Sequence, residues 1–196
     1  MKNLLEFTAF LQKFRRIKRR IKFKDGSFEN DAEHSFQLAM TAWYIISANK
    51  LKLDLEKVLE YSLAHDLVET YAGDTPSDVH RTFSKARKTK EEREEKALKR
   101  IEKEFSTFKD LHKIIRAYER REDEESKLVY ALDKMMPILN IYLEKGYSWK
   151  LYNVSIDDVV LYKKDKIAES KVVKKYFDQT VPLLRKLKGF SKKKLD

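Results

Sequence analysis

The sequence predicts an all-α protein that forms a single domain. Only four glycines and three prolines occur among its 196 residues, so few positions favour turns. Apolar residues recur at three- and four-residue spacing along most of the chain, which is the period of an amphipathic helix, and no strand-like alternation competes with it. A chain of this length buries roughly 70% of its unfolded surface in one core. We therefore expect one helical bundle over residues 1–196, with its main body at about 5–165 and a C-terminal helix and basic tail at about 171–196.

The helical period divides the chain into eight predicted helices. Their approximate bounds are 4–22, 30–49, 54–71, 85–104, 107–120, 124–145, 155–170 and 171–188. The first should end before the turn signal at Asp25 and Gly26. The third should end where Gly73 can adopt a left-handed conformation. The fourth is mostly charged and predicts a solvated helix, with partial disorder as the alternative, and Pro137 should kink the sixth.

The second predicted helix carries the clearest start signal. Asn30 as N-cap and Glu33 three residues later form a capping box. The apolar residues that follow at helical spacing predict a stripe that faces the core. The members of this stripe are Phe36, Ala39, Met40, Trp43 and Ile46.

Composition excludes several kinds of site. The chain has no cysteine, which excludes disulfide scaffolds, thiolate zinc sites, iron–sulfur clusters and cysteine nucleophiles. A net charge of +11 favours anionic partners. No apolar run reaches the 18 or so residues of a membrane span, and residues 1–14 lack the charged-then-apolar order of a signal peptide. We therefore expect a soluble cytoplasmic protein without membrane contact, in which histidine and carboxylate side chains hold any metal.

Five side chains that water solvates well are predicted to face the interior. They are His34, His65, Asp66, Glu69 and Asp133. His34 shares a helix face with Leu38 and Ala42. Glu69 stands four residues after His65 and three after Asp66, so these three can gather along one edge of the third predicted helix. Asp133 follows Val129 by about one turn, on the apolar side of the sixth.

Each of these residues alone has an ordinary explanation, such as an N-cap, a surface residue, a hydrogen-bonded histidine or half of an ion pair. Together they are harder to accommodate, because burying an unpaired carboxylate costs several kcal/mol out of a total stability of about 5–15 kcal/mol. A divalent cation would offset that cost. Two imidazoles and two carboxylates suit one transition metal ion, which could be Mn, Co, Fe, Ni or Zn, with positions left for water and substrate.

The order of these motifs resembles that of the HD-domain metal-dependent phosphohydrolases. The segments "ENDAEHSFQLAMTA", "LAHDLVETYAGDTP" and "SKLVYALDK" before "GYSW" are similar, more narrowly, to the HD-domain 5'-nucleotidases, a group that includes bacterial 5'-deoxynucleotidases. The similarity covers roughly residues 5–165. It implies an all-α bundle of the HD-domain type, a phosphomonoesterase activity on a small nucleotide, and a homodimer, because related proteins are commonly dimeric.

The resemblance also implies roles for individual residues. The metal ligands would be His34, His65, Asp66 and Asp133. Glu69 and Asp74 match the acidic residues that activate the attacking water and assist proton transfer. Arg19, fifteen residues before His34, matches an arginine that binds the substrate phosphate, although Arg15, Arg16 and Arg20 lie in the same basic run. At position 20 the bacterial deoxynucleotidases carry a tryptophan that is associated with rejecting ribose, so this chain leaves the choice of sugar open.

Two alternative functions stay open at this point. Seven Lys and Arg residues within residues 15–24 could form a nucleic-acid-binding stripe, although such a stripe is more often the solvated face of a helix, and we expect no nucleic-acid partner. Within the same superfamily, the substrate could instead be guanosine tetraphosphate, a nucleoside triphosphate or a cyclic nucleotide. The expected substrate is a nucleoside 5'-monophosphate, possibly of the 2'-deoxy series.

Overall fold

The computed structural model describes residues 1–73 and 83–188, and within this part the side chains of residues 83–89 are not described. Ten helices and one two-stranded antiparallel sheet lie in these ranges. The helices are α1 Lys2–Phe14, α2 Asp31–Asn49, α3 Leu55–Ala64, α4 Glu69–Ala72, α5 Phe83–Glu104, α6 Lys109–Arg120, α7 Glu124–Leu143, α8 Tyr147–Leu151, α9 Ile156–Ile167 and α10 Lys171–Arg185. The strands are β1 Lys18–Lys22 and β2 Phe28–Asn30.

The all-α prediction is confirmed, and α2 begins where the capping box places it. The Asn30 side chain accepts a hydrogen bond from the Glu33 backbone N–H at 3.0 Å, and the Glu33 carboxylate accepts one from the Asn30 N–H at 3.3 Å. The backbone N–H groups of Asn30 and Glu33 have no partner within the helix, and the capping box supplies one for each. The helix ends at Asn49, as predicted, with Lys50 in the left-handed conformation.

The prediction that the first helix continues to residue 22 is wrong. Helix α1 ends at Phe14, and Lys18–Lys22 forms β1, which pairs with β2. The four-residue spacing of Ile17 and Ile21 fits a helix as well as a strand, and sequence alone does not show the partner strand. Because side chains alternate across a strand, Arg19 and Ile21 turn inward while Arg20 between them is exposed.

The third predicted helix is divided in two. Helix α3 ends at Ala64, and α4 begins at Glu69. Between them the backbone N–H groups of Leu67, Glu69 and Thr70 bond three residues back instead of four. The chain is therefore wound more tightly in this turn than in an α-helix. Helix α4 ends just before Gly73, close to the predicted end, but with φ 74° and ψ 148° this glycine is not in the predicted left-handed helical conformation.

The predicted core stripe of α2 is only partly buried. Ala39 and Ile46 are buried, but Phe36, Met40 and Trp43 lie on the outer face. The buried face carries His34, Leu38, Ala42 and Ile45 instead. Both faces of α2 are rich in apolar residues, so the helical period alone could not decide which one meets the core.

Two apolar clusters form the interior. The larger one joins α2, α3, α7, α9 and α10, and the smaller one joins α1, α5 and α6 with the turn between α3 and α4. The fourth predicted helix contributes Ala97, Leu98 and Ile101 to the smaller cluster. In the described part of the chain, no helix combines the length and hydropathy that crossing a membrane requires.

Candidate metal centre

The candidate site lies where the two apolar clusters meet. Helix α2 brings His34 and helix α7 brings Asp133, and both helices belong to the larger cluster. His65 and Asp66 stand between Ala64 and Leu67, which belong to the smaller one. Three segments that are distant in sequence therefore meet between two packed cores, which limits their freedom to move.

The two imidazoles and the distant aspartate come together. The rings of His34 and His65 have centroids 5.4 Å apart. His34 Nε2 lies 3.1 Å from Asp133 Oδ1. One donor atom from each of His34, His65 and Asp133 lies within 4.8 Å of the other two, and all three residues are buried. This spacing allows the three atoms to share one ion, because metal–ligand bonds of this kind are about 2 Å long.

The tight turn after α3 places the fourth predicted ligand beside them. Asp66 Oδ2 lies 3.0 Å from His65 Nε2. Residues three apart eclipse one another in a turn with three-residue hydrogen bonds, so Asp66 and Glu69 point the same way. Their carboxylates, together with that of Asp31, form a second group whose donor atoms lie within 4.8 Å of one another.

The contacts of the His65 ring fit those of a metal ligand. Its Nδ1 lies 2.9 Å from the Ser62 carbonyl oxygen, which can only accept, so Nδ1 carries the proton. In a neutral imidazole, Nε2 then presents a lone pair. A lone pair 3.0 Å from a carboxylate oxygen is repelled unless a cation binds there, either a proton or a metal ion. A carbonyl that fixes the tautomer of a metal-binding histidine is a common arrangement.

Arg19 occupies the middle of the acidic side chains. Its Nη1 lies 2.7 Å from Asp66 Oδ2 and 3.2 Å from Asp31 Oδ1, and its Nη2 lies 3.9 Å from Asp133 Oδ1. Of the arginines in the basic run, Arg19 is the one that reaches the site, because β1 turns alternate side chains inward. Arg20 points away, with its guanidinium 5.2 Å from the centre of the Tyr152 ring.

Burial and charge set the protonation states in the site. Burial, and secondarily the Arg19 charge, lower the pKa of His34 to about 4. Burial opposes ionisation of Asp133, but the Lys134 ammonium and the His34 hydrogen bond hold the pKa of Asp133 well below its usual range. A neutral imidazole and an ionised carboxylate are the forms that bind metal.

Three residues near the site were not predicted from sequence. Glu29 is buried, and its Oε2 lies 3.1 Å from Arg19 Nε and 3.7 Å from His34 Nδ1. Asp31 is also buried and stands three residues before His34 on the same helix face, a periodicity that could have revealed it. Lys134 donates to Asp133 Oδ2 at 2.6 Å. Glu29 precedes the helix, so helical spacing gave no signal for it.

One predicted site residue cannot be placed. Asp74 lies outside the residues that the structure describes. Glu69, the other predicted catalytic acid, is buried and belongs to the second carboxylate group.

A comparison with known families bears on this arrangement. The model of the family described as the HD domain matches residues 11–175. The chain belongs to the HD domain family. His65 and Asp66 form an adjacent histidine–aspartate pair in this chain, and both lie at the candidate site.

Solved structures similar to this HD domain protein come from bacteria and archaea. It is 28% identical to a predicted metal-dependent phosphohydrolase from Magnetospirillum magnetotacticum MS-1, over 94% of this chain and 95% of that one, with a TM-score of 0.76. An HD-domain phosphohydrolase from Listeria innocua is 20% identical over 93% and 90%, with a TM-score of 0.68. A protein from Pyrococcus horikoshii OT3 is 21% identical over 92% and 98%, with a TM-score of 0.60. The last two establish a shared fold. No curated protein matches.

Proposed function

We propose that this HD domain protein is a metal-dependent phosphohydrolase that removes the 5'-phosphate from nucleoside monophosphates. The observation that carries the proposal is the convergence of His34, His65 and Asp133 on one point, with Arg19 beside them. The bacterial structure that is 28% identical is described as a predicted metal-dependent phosphohydrolase. The nucleotide substrate rests on the resemblance of the sequence motifs to the 5'-nucleotidases.

The metal ion would be held by His34, His65, Asp66 and Asp133. When bound, a divalent transition metal stabilises negative charge on a phosphoryl oxygen and lowers the pKa of a bound water toward neutrality. The donor set, two imidazoles and two carboxylates, suits Mn, Co, Fe, Ni or Zn better than Ca or Mg, which prefer oxygen ligands. The tautomer of His65 agrees with this role, since its Nε2 is the ring nitrogen that faces Asp66.

The remaining residues would bind the phosphate and move protons. Arg19 carries its charge at the centre of the site, where it would neutralise nonbridging phosphate oxygens. Glu69 lies in the carboxylate group next to the metal ligands, a position from which it would orient the attacking water and accept its proton. Asp74, one residue after Gly73, would serve as a second acid or base for the leaving 5'-oxygen. The products would be a nucleoside and inorganic phosphate.

The position of Arg20 supports an enzyme that accepts both sugars. Its side chain stacks on Tyr152 and faces away from the carboxylates that surround Arg19. A residue directed away from the site cannot exclude a 2'-hydroxyl group. We therefore expect ribonucleotides and deoxyribonucleotides to be hydrolysed at rates within about tenfold of each other, a difference of about 1.4 kcal/mol in transition-state energy.

A phosphate-release assay with a substrate panel tests the proposal. Purified protein with Mn²⁺ or Co²⁺ should release phosphate from at least one nucleoside 5'-monophosphate, and chelation with EDTA should abolish the activity. The panel should include guanosine tetraphosphate, nucleoside triphosphates and cyclic nucleotides. Faster hydrolysis of one of these would keep the reaction class and replace the substrate. Activity that survives thorough chelation would exclude the metal-dependent mechanism.

A further inference from the structure

The outer face of α2 is unusual for this chain. Charged residues make up 38% of the sequence, yet none occurs between Glu33 and Lys50. The apolar residues on the inner face of α2 are buried in the larger core, which accounts for their presence. The core does not explain the apolar residues of the outer face.

Four large side chains form this outer face. Phe36 is 63% exposed, Met40 47%, Trp43 48% and Tyr44 66%. Single exposed apolar residues are common on proteins, but a contiguous group of this size marks a surface that another molecule covers. We call these four residues the α2 stripe.

The spacing along the α2 stripe matches that of a helix-pairing seam. Residues 33, 36, 40, 43, 47 and 50 follow one another at alternating steps of three and four. This is the repeat with which one helix packs lengthwise against another. The seam begins with an acidic residue, Glu33, and ends with a basic one, Lys50. A seam with opposite charges at its two ends is complementary to a copy of itself that runs in the opposite direction.

We propose that the α2 stripe pairs with the α2 stripe of a second copy of this chain, antiparallel about a two-fold axis between residues 41 and 42. This axis places Glu33 opposite Lys50 of the second copy, and Phe36 opposite Ser47. Met40 then faces Trp43 at the centre. A two-fold axis makes every such contact twice, so both ends of the seam gain an ion pair while the aromatic residues lose their exposure to water.

The exposed area is consistent with a dimer interface. The three aromatic side chains of the stripe leave roughly 350 Å² exposed, given about 200 Å² for each such side chain. A stable interface buries about 800 Å² on each partner. The stripe therefore supplies an aromatic centre, the part of an interface that contributes most of the binding energy, and its surroundings supply the rim.

The pairing leaves the candidate metal centre intact. His34 belongs to the opposite, buried face of α2, together with Leu38 and Ala42. A second copy on the outer face would hold α2 in place from outside without touching the ligand. Loss of the dimer and loss of the site can therefore be measured separately.

Sedimentation equilibrium tests the proposal. The wild-type protein, 23.4 kDa per chain, should be a dimer at about 10 µM, and Trp43→Glu should weaken dimerisation by about 30-fold or more, the effect typical of a central interface residue. Leu161→Glu is the matched control, because Leu161 is 64% exposed on α9 and should leave the dimer intact. Circular dichroism should show that both variants are folded. A monomeric wild type, or a Trp43→Glu variant that remains dimeric, would overturn the proposal.

Disulfide cross-linking tests the antiparallel arrangement independently, because the chain has no native cysteine. Residues 36 and 47 lie eleven positions apart, about 16 Å along a helix, whereas a disulfide requires Cα atoms within about 7 Å. A mixture of Phe36→Cys and Ser47→Cys proteins should therefore form a covalent dimer on mild oxidation, while neither protein alone should do so. Efficient cross-linking of each protein with itself would indicate parallel helices and contradict the proposed pairing.

Discussion

Charged side chains are buried in two neighbouring parts of the fold, and the groups that surround them differ. In the metal centre, Arg19 lies among carboxylates at 2.7 to 3.9 Å. On α9, the Lys163 ammonium is buried and donates a hydrogen bond to the backbone carbonyl of Lys134 at 2.8 Å. A full opposite charge stabilises a buried ion far more than a carbonyl dipole does.

The pKa values follow this difference. Burial opposes the charge of Arg19, yet the surrounding carboxylates, Asp66 first, raise the pKa of Arg19 well above its usual value. Burial, followed by the nearby Lys134 charge, lowers the pKa of Lys163 to about 7. The metal centre therefore keeps the Arg19 guanidinium and the Asp133 carboxylate charged, whereas the packing around Lys163 destabilises its ammonium. Substitutions of Asp133, Glu69, Glu29 and Lys163 test this contrast.

The largest effect is expected for Asp133→Asn. This change removes a charged ligand and leaves Lys134 beside an uncharged amide, so metal content should fall and phosphate release should slow by about 10³-fold, equivalent to about 4 kcal/mol. Metal analysis by mass spectrometry and a phosphate assay measure the two quantities. Asp157→Asn is the control, because the Asp157 side chain is 77% exposed and should not affect either. Full metal content in Asp133→Asn would remove Asp133 from the ligand set.

A smaller loss, of about 10²-fold, is expected for Glu69→Gln. An amide cannot accept the proton of the attacking water, and general-base catalysis typically contributes 10²–10⁴-fold. The variant should still bind the metal, since Glu69 is not among the proposed ligands. Glu60→Gln, on the exposed face of α3, should behave as wild type. If Glu69→Gln lost the metal, its role would be that of a ligand.

Glu29→Gln should weaken metal binding by about tenfold. The carboxylate lies between Arg19 and His34, and groups that orient metal ligands contribute on this scale. In the native protein Asn140 Nδ2 donates a hydrogen bond to Glu29 Oε1 at 2.6 Å. Glutamine retains an oxygen that can accept this bond, so the packing should survive. A titration with Mn²⁺ gives the affinity. An unchanged dissociation constant for Mn²⁺ would mean that Glu29 stabilises the fold but does not contribute to metal binding.

The smallest effect is expected on stability, for Lys163→Met. Below about pH 7 the folded and unfolded chains both hold the proton on Lys163, so the full cost of burying the ammonium applies. Between about pH 7 and the usual value of 10.5, the unfolded chain binds more protons than the folded chain, so the free energy of unfolding rises with pH. The variant should therefore exceed wild type by about 1 kcal/mol at pH 6 and lose that advantage by pH 9.5.

Urea unfolding at the two pH values measures this difference. Lys164→Met, an exposed neighbour on α9, should change stability by less than about 0.5 kcal/mol at both. A Lys163→Met protein that is less stable than wild type at pH 6 would show that Lys163 is stabilised as strongly as the groups in the metal centre.

The parts of the fold that depend on local chemistry could be predicted from sequence. The start of α2 follows from Asn30 and Glu33, which are three residues apart and satisfy each other. The burial of Asp133 follows from its position one turn after Val129, which is fully buried. In both cases the decisive neighbours lie on the same helix, so helical spacing identifies them.

Features that depend on distant partners could not be predicted in this way. The strand β1 exists because β2 pairs with it, and Ile17 and Ile21 fit either a helix or a strand. The inward direction of Arg19 is a consequence of that strand. The α2 stripe shows the same limit, because the spacing of Phe36 and Trp43 shows that they share a face and does not show what covers the face.

Anomalous X-ray diffraction from crystals grown with Mn²⁺ would show whether one metal ion binds between the two histidines and the two aspartates. We expect one strong manganese peak per chain, within about 2.5 Å of a donor atom from each of His34, His65, Asp66 and Asp133. A peak bound elsewhere, or no peak in crystals whose protein retains the arrangement of these four side chains, would contradict it.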